Sequence, residues 1–383
     1  MTDRIAFVGA GANPNDPDTD GYAMAYRHAA GYQRIDGCEL VGCADIVREN
    51  AEVFADRHGI PPSGVYESYE TMLDETDPDV VSVCVPPAAH AEIVVGCAES
   101  GVPDAIHCEK PMARTWRECR EMVDVCRRRD VQLTFNHQRR FARPFRRAKE
   151  LLDADYIGDL RRIEVGGKNL YDYGTHLFDF CTDVVDETPA AWVLAQVDYR
   201  EENVQFGVHN ENGALVQWEY ENGVSGLAST GRSSFVDCHL RLVGTSGTIE
   251  VQPDGGPPLR AIRDEDDGWR TVDTDGDGIH GPVDGRVGAA LRKLDELTPT
   301  ALTVPGVTTE HTSRSVANVV HCYRTGTASP LRGEVALQGT ELIFAAYESA
   351  RRRGRVDLPL EVDDHPLESM VDAGLVAVDS EAD

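Results

Sequence analysis

The sequence predicts an α/β protein with two domains, a doubly wound parallel sheet followed by an α/β domain with a mainly antiparallel sheet. Before residue 141, short apolar strands alternate with helical stretches at spacings of roughly 20–30 residues, a rhythm typical of parallel sheets covered by helices. After residue 186, strand-like segments follow one another across tight turns such as Glu221-Asn222-Gly223, which is typical of an antiparallel meander. We therefore divide the chain into 1–141, 142–360 and an acidic, mobile tail at 361–383.

Composition excludes some classes of partner. The 383 residues include 66 acidic and 37 basic side chains, for a formal net charge of −29. This charge disfavours nucleic acids and anionic membranes, so we expect neither as a partner. The lysines are Lys110, Lys149, Lys168 and Lys293. Because lysine is so rare and the acidic residues are dispersed, we interpret the surface as adapted to high salt.

The cysteines and the N-terminus favour a cytoplasmic protein. The ten cysteines form no C-x-x-C pair and mostly lie in apolar strand or helix patterns, which indicates free thiols in a reducing compartment. No apolar run approaches the ~18–20 residues of a membrane span. The first residues lead directly into a strand, so we expect no signal peptide.

A glycine-rich turn follows the first strand. The apolar run 4–8 ends in Gly9-Ala10-Gly11, and a helix follows further on. A strand, Gly-x-Gly and a helix form a dinucleotide-binding pattern, in which backbone N–H groups meet the pyrophosphate. We therefore predict that Gly9, Gly11 and Ala12 bind a dinucleotide. Pro14 replaces the third glycine, and 13–21 is a polar insertion of unknown role.

The second strand, 39–45, ends in Asp45. In dinucleotide-binding folds an acid at this place bonds the ribose 2′-hydroxyl and repels a 2′-phosphate. Because Ile46 and Val47 follow instead of an arginine, we favour NAD over NADP. The alternative is that Asp45 is the N-cap of the helix at 47–58.

Glu109-Lys110-Pro111 ends a later strand, 106–109. Proline stops the strand, and the polar pair then lies at a carboxyl end, where open α/β sheets bind ligands. Lysine is a compact donor whose charge responds to burial, a role that arginine fills poorly. The alternative is an ordinary surface Glu-Lys pair.

A second polar cluster is Asp172, His176 and Asp179, which share one face if the segment is helical. Histidine suits proton transfer near neutral pH, and an aspartate one turn away can bind substrate hydroxyls. The alternatives are a capping aspartate with a core histidine, or, with less support, a metal site. The acidic run 273–284 matches half of a calcium loop, but we favour a solvated acidic loop without metal.

These motifs together resemble the Gfo/Idh/MocA oxidoreductases, the superfamily of glucose–fructose oxidoreductase and inositol dehydrogenase. The matches run in order from about residue 4 to 360. They are Gly9-x-Gly11, Asp45, Pro86-Pro87-x-x-His90, Glu109-Lys110-Pro111, Gln138-Arg139-Arg140-Phe141, Ile157-Gly158, Asp172-x-Gly174-x-His176-x-x-Asp179 and the turn Gly244-Thr245-x-Gly247.

The resemblance implies an N-terminal Rossmann domain for a nicotinamide dinucleotide and a C-terminal domain whose open sheet forms dimer or tetramer contacts. It implies that Lys110, Asp172 and His176 are catalytic. It also implies cofactor contacts from Pro86, His90, Glu109 and Gln138. The chain departs from the family in its lengthened glycine loop and in a short stretch between Ile163 and Asp172.

The resulting hypothesis is an NAD-dependent oxidoreductase that transfers hydride between a secondary alcohol of a sugar, cyclitol or related polyol and the nicotinamide. Two alternatives remain open. One is an NAD-recycling glycosidase or epimerase of the same fold, which would turn over without net NADH. The other is a non-catalytic sugar sensor, which has no need of an acid–base pair.

Overall fold

The structure is a computed structural model that describes residues 2–11, 23–282 and 310–376. Contacts divide the chain into two compact units, and each is described by itself. Among the described residues, unit 1 comprises 2–11, 23–113, 118–138 and 310–334, and unit 2 comprises 114–117, 139–282 and 335–376. The helices of this part of the chain are Met24–Tyr32 (α1), Arg48–His58 (α2), Tyr69–Thr76 (α3), Pro87–Ser100 (α4), Trp116–Arg129 (α5), Arg143–Asp153 (α6), Gly174–Val184 (α7), His311–Thr325 (α8), Gly333–Arg352 (α9) and Pro366–Asp372 (α10).

Unit 1 is built on a parallel sheet. Its strands are Asp3–Val8 (β1), Cys38–Ala44 (β2), Val65–Tyr66 (β3), Val80–Val83 (β4), Ala105–Cys108 (β5) and Gln132–Phe135 (β6). They are ordered β3-β2-β1-β4-β5-β6, and each neighbouring pair is parallel. This order confirms the predicted doubly wound sheet. The order reverses between β1 and β4, where ligands of such sheets usually bind beyond the carboxyl ends of the strands.

Aromatic rings from β1, α1 and α2 fill the core of unit 1. The ring centroid of Phe7 lies 5.9 Å from that of Tyr32 and 5.1 Å from that of Phe54, both edge to face. Helix α8 completes this core through Val316 and Val320. By position this helix falls in the expected second domain, 142–360, but in the structure it packs on α1 because these valines complete the apolar core of unit 1.

Unit 2 has its own strands, most of which form one large, mixed sheet. Its strands are Leu160–Gly167 (β7), Ala190–Asp198 (β8), Val204–Gln205 (β9), Val208–His209 (β10), Gly213–Tyr220 (β11), Ser225–Gly231 (β12), Cys238–Gly244 (β13), Gly247–Pro253 (β14), Leu259–Arg263 (β15), Arg270–Thr271 (β16), Asp277–Gly278 (β17), Gly281–Pro282 (β18) and Val356–Asp357 (β19). Nine of them form one sheet in the order β16-β15-β14-β13-β7-β12-β11-β8-β19.

The mainly antiparallel character of this sheet is confirmed, but the simple meander is wrong. Strand β7 lies between β12 and β13 and runs parallel to β12, whereas the other neighbouring strands of the sheet are antiparallel. The reason is that β7 leaves through helix α7 instead of a hairpin turn. A helical crossover allows two strands of one sheet to run in the same direction.

Strand β11 shows how the sheet of unit 2 buries one face. Val216 and Trp218 are fully buried, whereas Leu215, the residue before Val216 in the same strand, is 44 % exposed. This alternation follows from the period of two in a strand. Trp218 lies opposite Gly226 of β12, which leaves room for the indole ring.

The described part of the acidic tail is folded. Helix α10 buries Leu367 and Met370, and the Nε1–H of Trp116 donates to the carbonyl oxygen of Leu360 at 3.1 Å. Arg351 pairs with Asp364 at 2.5 Å. The expectation of a mobile tail is therefore wrong for 361–376, because this segment supplies its own apolar residues.

Two further expectations concern the cysteines and membrane spans. All ten cysteines are free, and eight of them are buried, as their apolar sequence surroundings predict. Among the described residues, no helix has the length and hydropathy needed to cross a membrane.

We expect Gly226→Ala to lower the free energy of unfolding by roughly 1–3 kcal/mol, the usual cost of adding a methyl group to a filled core. A Cβ at Gly226 would lie 1.8 Å from Cε2 of Trp218. Denaturant unfolding followed by tryptophan fluorescence measures the change. Gly268→Ala is the matched control, since a Cβ there meets no atom within 4 Å. Equal unfolding free energies for the two variants would contradict this account.

Candidate active site

The glycine turn of unit 1 depends on two glycines with positive φ. Gly9 has φ +85°, and a Cβ there would lie 2.6 Å from Cγ1 of Val85 and 2.9 Å from the backbone of Cys84. Gly11 has φ +69°, a conformation that other residues adopt at a cost. The turn therefore passes close to the end of β4, which needs glycine. Ala12 and the insertion at 13–21 lie outside the described residues.

Asp45 lies against this glycine turn. One carboxylate oxygen accepts hydrogen bonds from the N–H groups of Ala10 and Gly11 at 2.9 and 3.0 Å, and the other accepts from Val47 N–H at 2.9 Å. The alternative of Asp45 as a helix N-cap is wrong, because α2 begins at Arg48 with Val47 as its cap. The predicted ribose contact of Asp45 stays a prediction.

His90 links two backbone segments at the carboxyl edge of the sheet. Helix α4 begins after its N-cap Pro86, and this places the His90 ring in the interior. Its Nε2 lies 2.8 Å from Val85 O, and its Nδ1 lies 2.9 Å from Pro111 O and 3.1 Å from Met112 O. Burial lowers the pKa of His90, although hydrogen bonds to these carbonyl oxygens act in the opposite direction and raise it. In this position His90 holds the segment after Lys110, and its predicted cofactor contact stays a prediction.

Glu109 is not a surface residue. Its side chain is buried and accepts hydrogen bonds from Nε2 of His28 at 2.9 Å and from Nδ2 of Asn136 at 2.6 Å. Its other oxygen accepts from Lys110 N–H at 3.2 Å. Burial opposes the charge, but hydrogen bonds from His28 and Asn136 lower the pKa of Glu109 to about 2. The alternative of an ordinary surface Glu-Lys pair is therefore wrong for Glu109.

Gln138 begins the short 3-10 turn Gln138–Phe141 after β6. Its Oε1 is buried and has no hydrogen-bond partner among the described residues. A buried acceptor without a donor is uncommon and calls for a ligand or water. Gln138 therefore fits the predicted position near an amide-bearing ligand such as the nicotinamide, although that contact remains a prediction.

In unit 2, Asp172 lies in a turn ahead of helix α7, which begins at Gly174. Asp172, His176 and Asp179 were expected to share one face if the segment were helical, and the helix does not include Asp172. The Asp172 N–H donates to Oδ1 of Asn210 at 3.1 Å, so the turn is tied to the loop before β11. His176 is within the helix and buried.

Asp179 has a structural partner. Both of its carboxylate oxygens accept hydrogen bonds from the Arg140 guanidinium at 2.8 and 2.9 Å, and both residues are buried. Arg140 also contacts Asp183 at 2.9 Å. This ion pair favours a structural role for Asp179 over a metal ligand.

Other acidic clusters are also paired with arginine. Asp277, expected in a solvated loop, is buried and accepts from the N–H of Arg143 at 3.0 Å, at the start of α6. Asp275 pairs with the same arginine at 3.1 Å.

Asp237, Cys238 and Glu250 bring their ligand atoms together, but Arg241 bonds both carboxylates. Within the residues described, these contacts favour ion pairs over metal binding.

The turn that carries Asp172 rests on a buried carboxyl group. Glu211 accepts hydrogen bonds from Leu170 N–H at 2.7 Å, from Thr230 Oγ1 at 2.9 Å and from Tyr347 Oη at 2.6 Å. The turn is also held by the Tyr173 N–H, which donates a hydrogen bond to Oδ1 of Asn169 at 2.7 Å. Unit 2 thus builds the turn from side chains on several elements.

The residues that support the predicted ones were not expected from the sequence. His28 and Asn136 hold Glu109, while Asn210 and Glu211 hold the turn at 169–173. One signal was present, since His28 is a polar residue on the buried face of α1. The rest have no local signal, because their partners are distant in sequence.

Two family models match the chain. The model "Oxidoreductase family, NAD-binding Rossmann fold" matches residues 4–137, and "Oxidoreductase family, C-terminal alpha/beta domain" matches 160–358. Both belong to the Gfo/Idh/MocA oxidoreductases.

Among curated proteins, the chain is 28 % identical over 242 residues to a D-xylose 1-dehydrogenase [NADP(+)] of Haloarcula marismortui, covering 57 % of this chain and 66 % of the relative. It is 30 % identical over 196 residues to the D-glucoside 3-dehydrogenase of Escherichia coli, covering 46 % and 52 %. The matches thus span between half and two thirds of these relatives. The fold is similar to that of an aldose-aldose oxidoreductase from Caulobacter crescentus, with a TM-score of 0.70 at 19 % identity over 94 % of this chain and 100 % of that one.

We expect Glu211→Gln to remove a pH dependence of stability. Burial raises the pKa of Glu211 to about 7, although its hydrogen bonds lower it. The folded chain therefore holds this proton more tightly than the unfolded chain, and ionisation of Glu211 destabilises the fold as pH rises from about 4.5 through 7.

Between pH 5 and 8 the wild type should lose roughly 2.5 kcal/mol of unfolding free energy relative to Glu211→Gln. Urea unfolding across this range measures the difference. Glu221→Gln changes an exposed glutamate and should follow the wild type. Parallel curves for wild type and Glu211→Gln would contradict the buried-acid account.

Proposed function

Because the chain belongs to the Gfo/Idh/MocA oxidoreductase family, we propose that it is an NAD-dependent dehydrogenase that acts on a secondary alcohol of a sugar, cyclitol or related polyol. The observation that carries this proposal is the position of Lys110. It follows a buried, hydrogen-bonded Glu109 at the carboxyl end of β5, on the sheet edge where this fold binds ligands.

The residues of unit 1 fit a nicotinamide dinucleotide. Gly9 and Gly11 give the turn after β1 its positive-φ backbone, and Gly9 lets that turn pass against the residues that follow β4, as in turns that present backbone N–H groups to a pyrophosphate. Asp45 lies at the turn where a ribose would come, and the unsatisfied Oε1 of Gln138 suits a carboxamide N–H. The bound dinucleotide would supply the hydride chemistry.

In this proposal each polar residue has its own role. Lys110 donates a hydrogen bond to the alcohol oxygen and stabilises the negative charge that develops there. His176 accepts the hydroxyl proton, since an imidazole is suited to proton transfer near neutral pH. Asp172 binds a neighbouring hydroxyl of the polyol. The cytoplasmic location and the homodimer or homotetramer expected from the sequence stay predictions.

The residues around Asp45 favour NAD over NADP in this chain, although the xylose dehydrogenase described above is named for NADP(+). The Asp45 carboxylate would repel a 2′-phosphate. The next two side chains, Ile46 and Val47, are 90 % and 50 % exposed and carry no charge. Arg48 follows but pairs with Glu52 at 2.9 Å. This arrangement favours a ribose with a free 2′-hydroxyl.

We expect NADH fluorescence to appear when the wild type is given NAD and one member of a panel of cyclitols, aldoses and sugar acids. Lys110→Met should then lower kcat by roughly 100-fold or more while the Kd for NAD stays unchanged, because charge stabilisation at the alcohol oxygen is lost.

Lys149→Met is the matched control, since Lys149 belongs to helix α6 of unit 2, where it pairs with Asp153 and Asp186. An unchanged kcat in Lys110→Met removes Lys110 from the mechanism. Turnover of a compound without net NADH, seen by mass, would replace the dehydrogenase with an NAD-recycling enzyme. Binding of NAD with no turnover of any compound overturns the proposal.

We expect Asp45→Ser to raise the ratio of kcat/KM for NADP to that for NAD by roughly tenfold or more, since like charges no longer face each other. Steady-state kinetics with both dinucleotides gives the ratio. Asp56→Ser, which removes an exposed acid from α2, serves as the control. A ratio that moves equally in both variants would show that only net charge matters.

A further inference from the structure

A buried ion pair lies beneath Lys110 in unit 1. His28 of α1 is fully buried, and its Nε2 lies 2.9 Å from Oε1 of Glu109. Its Nδ1 lies 2.7 Å from Oγ of Ser82 on β4. Each ring nitrogen therefore has an oxygen atom within hydrogen-bond distance that can accept from a protonated imidazole, and Nε2 also lies 3.0 Å from Nδ2 of Asn136.

The surroundings of the pair support charge on both partners. Burial opposes protonation, but the nearby Cys84 sulfur and the Glu109 carboxylate raise the pKa of His28 to about 10. Asn136 donates to Glu109 at 2.6 Å, and its own Oδ1 accepts from Ser315 Oγ at 2.8 Å. A buried charge without such partners costs several kcal/mol, so each of these bonds is needed.

The pair is connected directly to the backbone of Lys110. The carboxylate oxygen of Glu109 that does not touch His28 accepts the Lys110 N–H at 3.2 Å. On the other side, His90 lies 2.9 Å from Pro111 O. The segment from Glu109 to Pro111 thus contacts two buried histidines, His28 through the Glu109 carboxylate and His90 through the carbonyl oxygen of Pro111.

We propose that His28 is a positioning residue for Lys110, acting through the Glu109 carboxylate that it holds in place. The inference rests on the proposed function, in which Lys110 is catalytic. His28 itself is fully buried and touches neither substrate nor cofactor in this role. Its contribution is to keep Glu109 ionised and turned inward, and so to fix where the lysine side chain begins.

The alternative is that His28 only fills the core. It stacks on the His107 ring with centroids 4.9 Å apart, so its loss would disturb packing in either case. Stability alone therefore cannot separate the two roles. A double-mutant cycle with Glu109 can, because two residues that act through one contact have non-additive effects.

We expect His28→Gln and Glu109→Gln each to lower kcat by about 100-fold with little change in KM for NAD, since small displacements of a catalytic group cost about this much. The double variant should be no slower than the slower single variant, within a factor of about three. Independent effects would multiply to about 10,000-fold, and that result overturns the proposal.

His107→Gln is the matched control. His107 is also buried and lies beside His28, but its Nδ1 bonds Oγ1 of Thr134 instead of Glu109. It should lose stability with kcat within about threefold of the wild type. A kcat loss in His107→Gln equal to that in His28→Gln would assign the effect to packing. If His28→Gln does not fold, an unchanged kcat in Glu109→Gln overturns the proposal by itself.

A second readout needs no substrate. The chain has only four lysines, so reductive ¹³C-methylation gives a nuclear magnetic resonance spectrum with few signals, in which Lys110 is assigned through Lys110→Arg. The Lys110 signal should move in both single variants while the Lys149 and Lys168 signals stay. An unmoved Lys110 signal overturns the positioning role. If the signal moves but no compound is oxidised, the proposed function fails and the contact between His28, Glu109 and Lys110 stands.

Discussion

A buried carboxylate holds each of the two segments that carry the proposed catalytic residues. Glu109 lies under Lys110 in unit 1, and Glu211 lies under the turn before His176 in unit 2. A carboxylate out of contact with water must be bonded on both oxygens. Each therefore draws donors from several elements and fixes the backbone that supplies one of them. The rest of the site depends on this requirement.

The two carboxylates are stabilised in opposite ways. Glu109 faces the His28 ring, whose pKa is raised to about 10 by Cys84 and Glu109, and hydrogen bonds from His28 and Asn136 lower the pKa of Glu109 to about 2. Among the described residues, the donors to Glu211 are neutral, two hydroxyl groups and a backbone N–H, and burial raises its pKa to about 7. The difference is physical, since a nearby charge compensates desolvation more fully than neutral dipoles do. Unit 1 thus holds a fixed charge beneath its lysine, while unit 2 holds a group that titrates near neutrality.

Much of the fold was predictable, because it depends on local patterns. The order of strands and helices in unit 1 follows from apolar runs bounded by glycine and proline, and Gly9, Asp45 and Lys110 lie at strand ends as predicted. The position of β7 was not predictable, since a turn and a helical crossover leave no distinct trace in the strand itself. His28 and Glu211 were missed for a related reason. Their partners lie 81 and 41 residues away in the sequence, and such pairings are visible only after folding.

The motif Asp172-x-Gly174-x-His176-x-x-Asp179 shows that adjacent residues of one pattern can have separate tasks. Gly174 is required by packing, because a Cβ there would lie 2.8 Å from Asn169 O. Asp179 is committed to Arg140 inside unit 2. Helix α7 begins at Gly174, after Asp172. Asp172 is therefore oriented by the turn, and His176 by the helix. Since the turn depends on Glu211 and the helix on the Arg140 pair, the orientation of the two proposed catalytic groups is set by different contacts. A substitution that loosens one contact can therefore displace one group and leave the other in place.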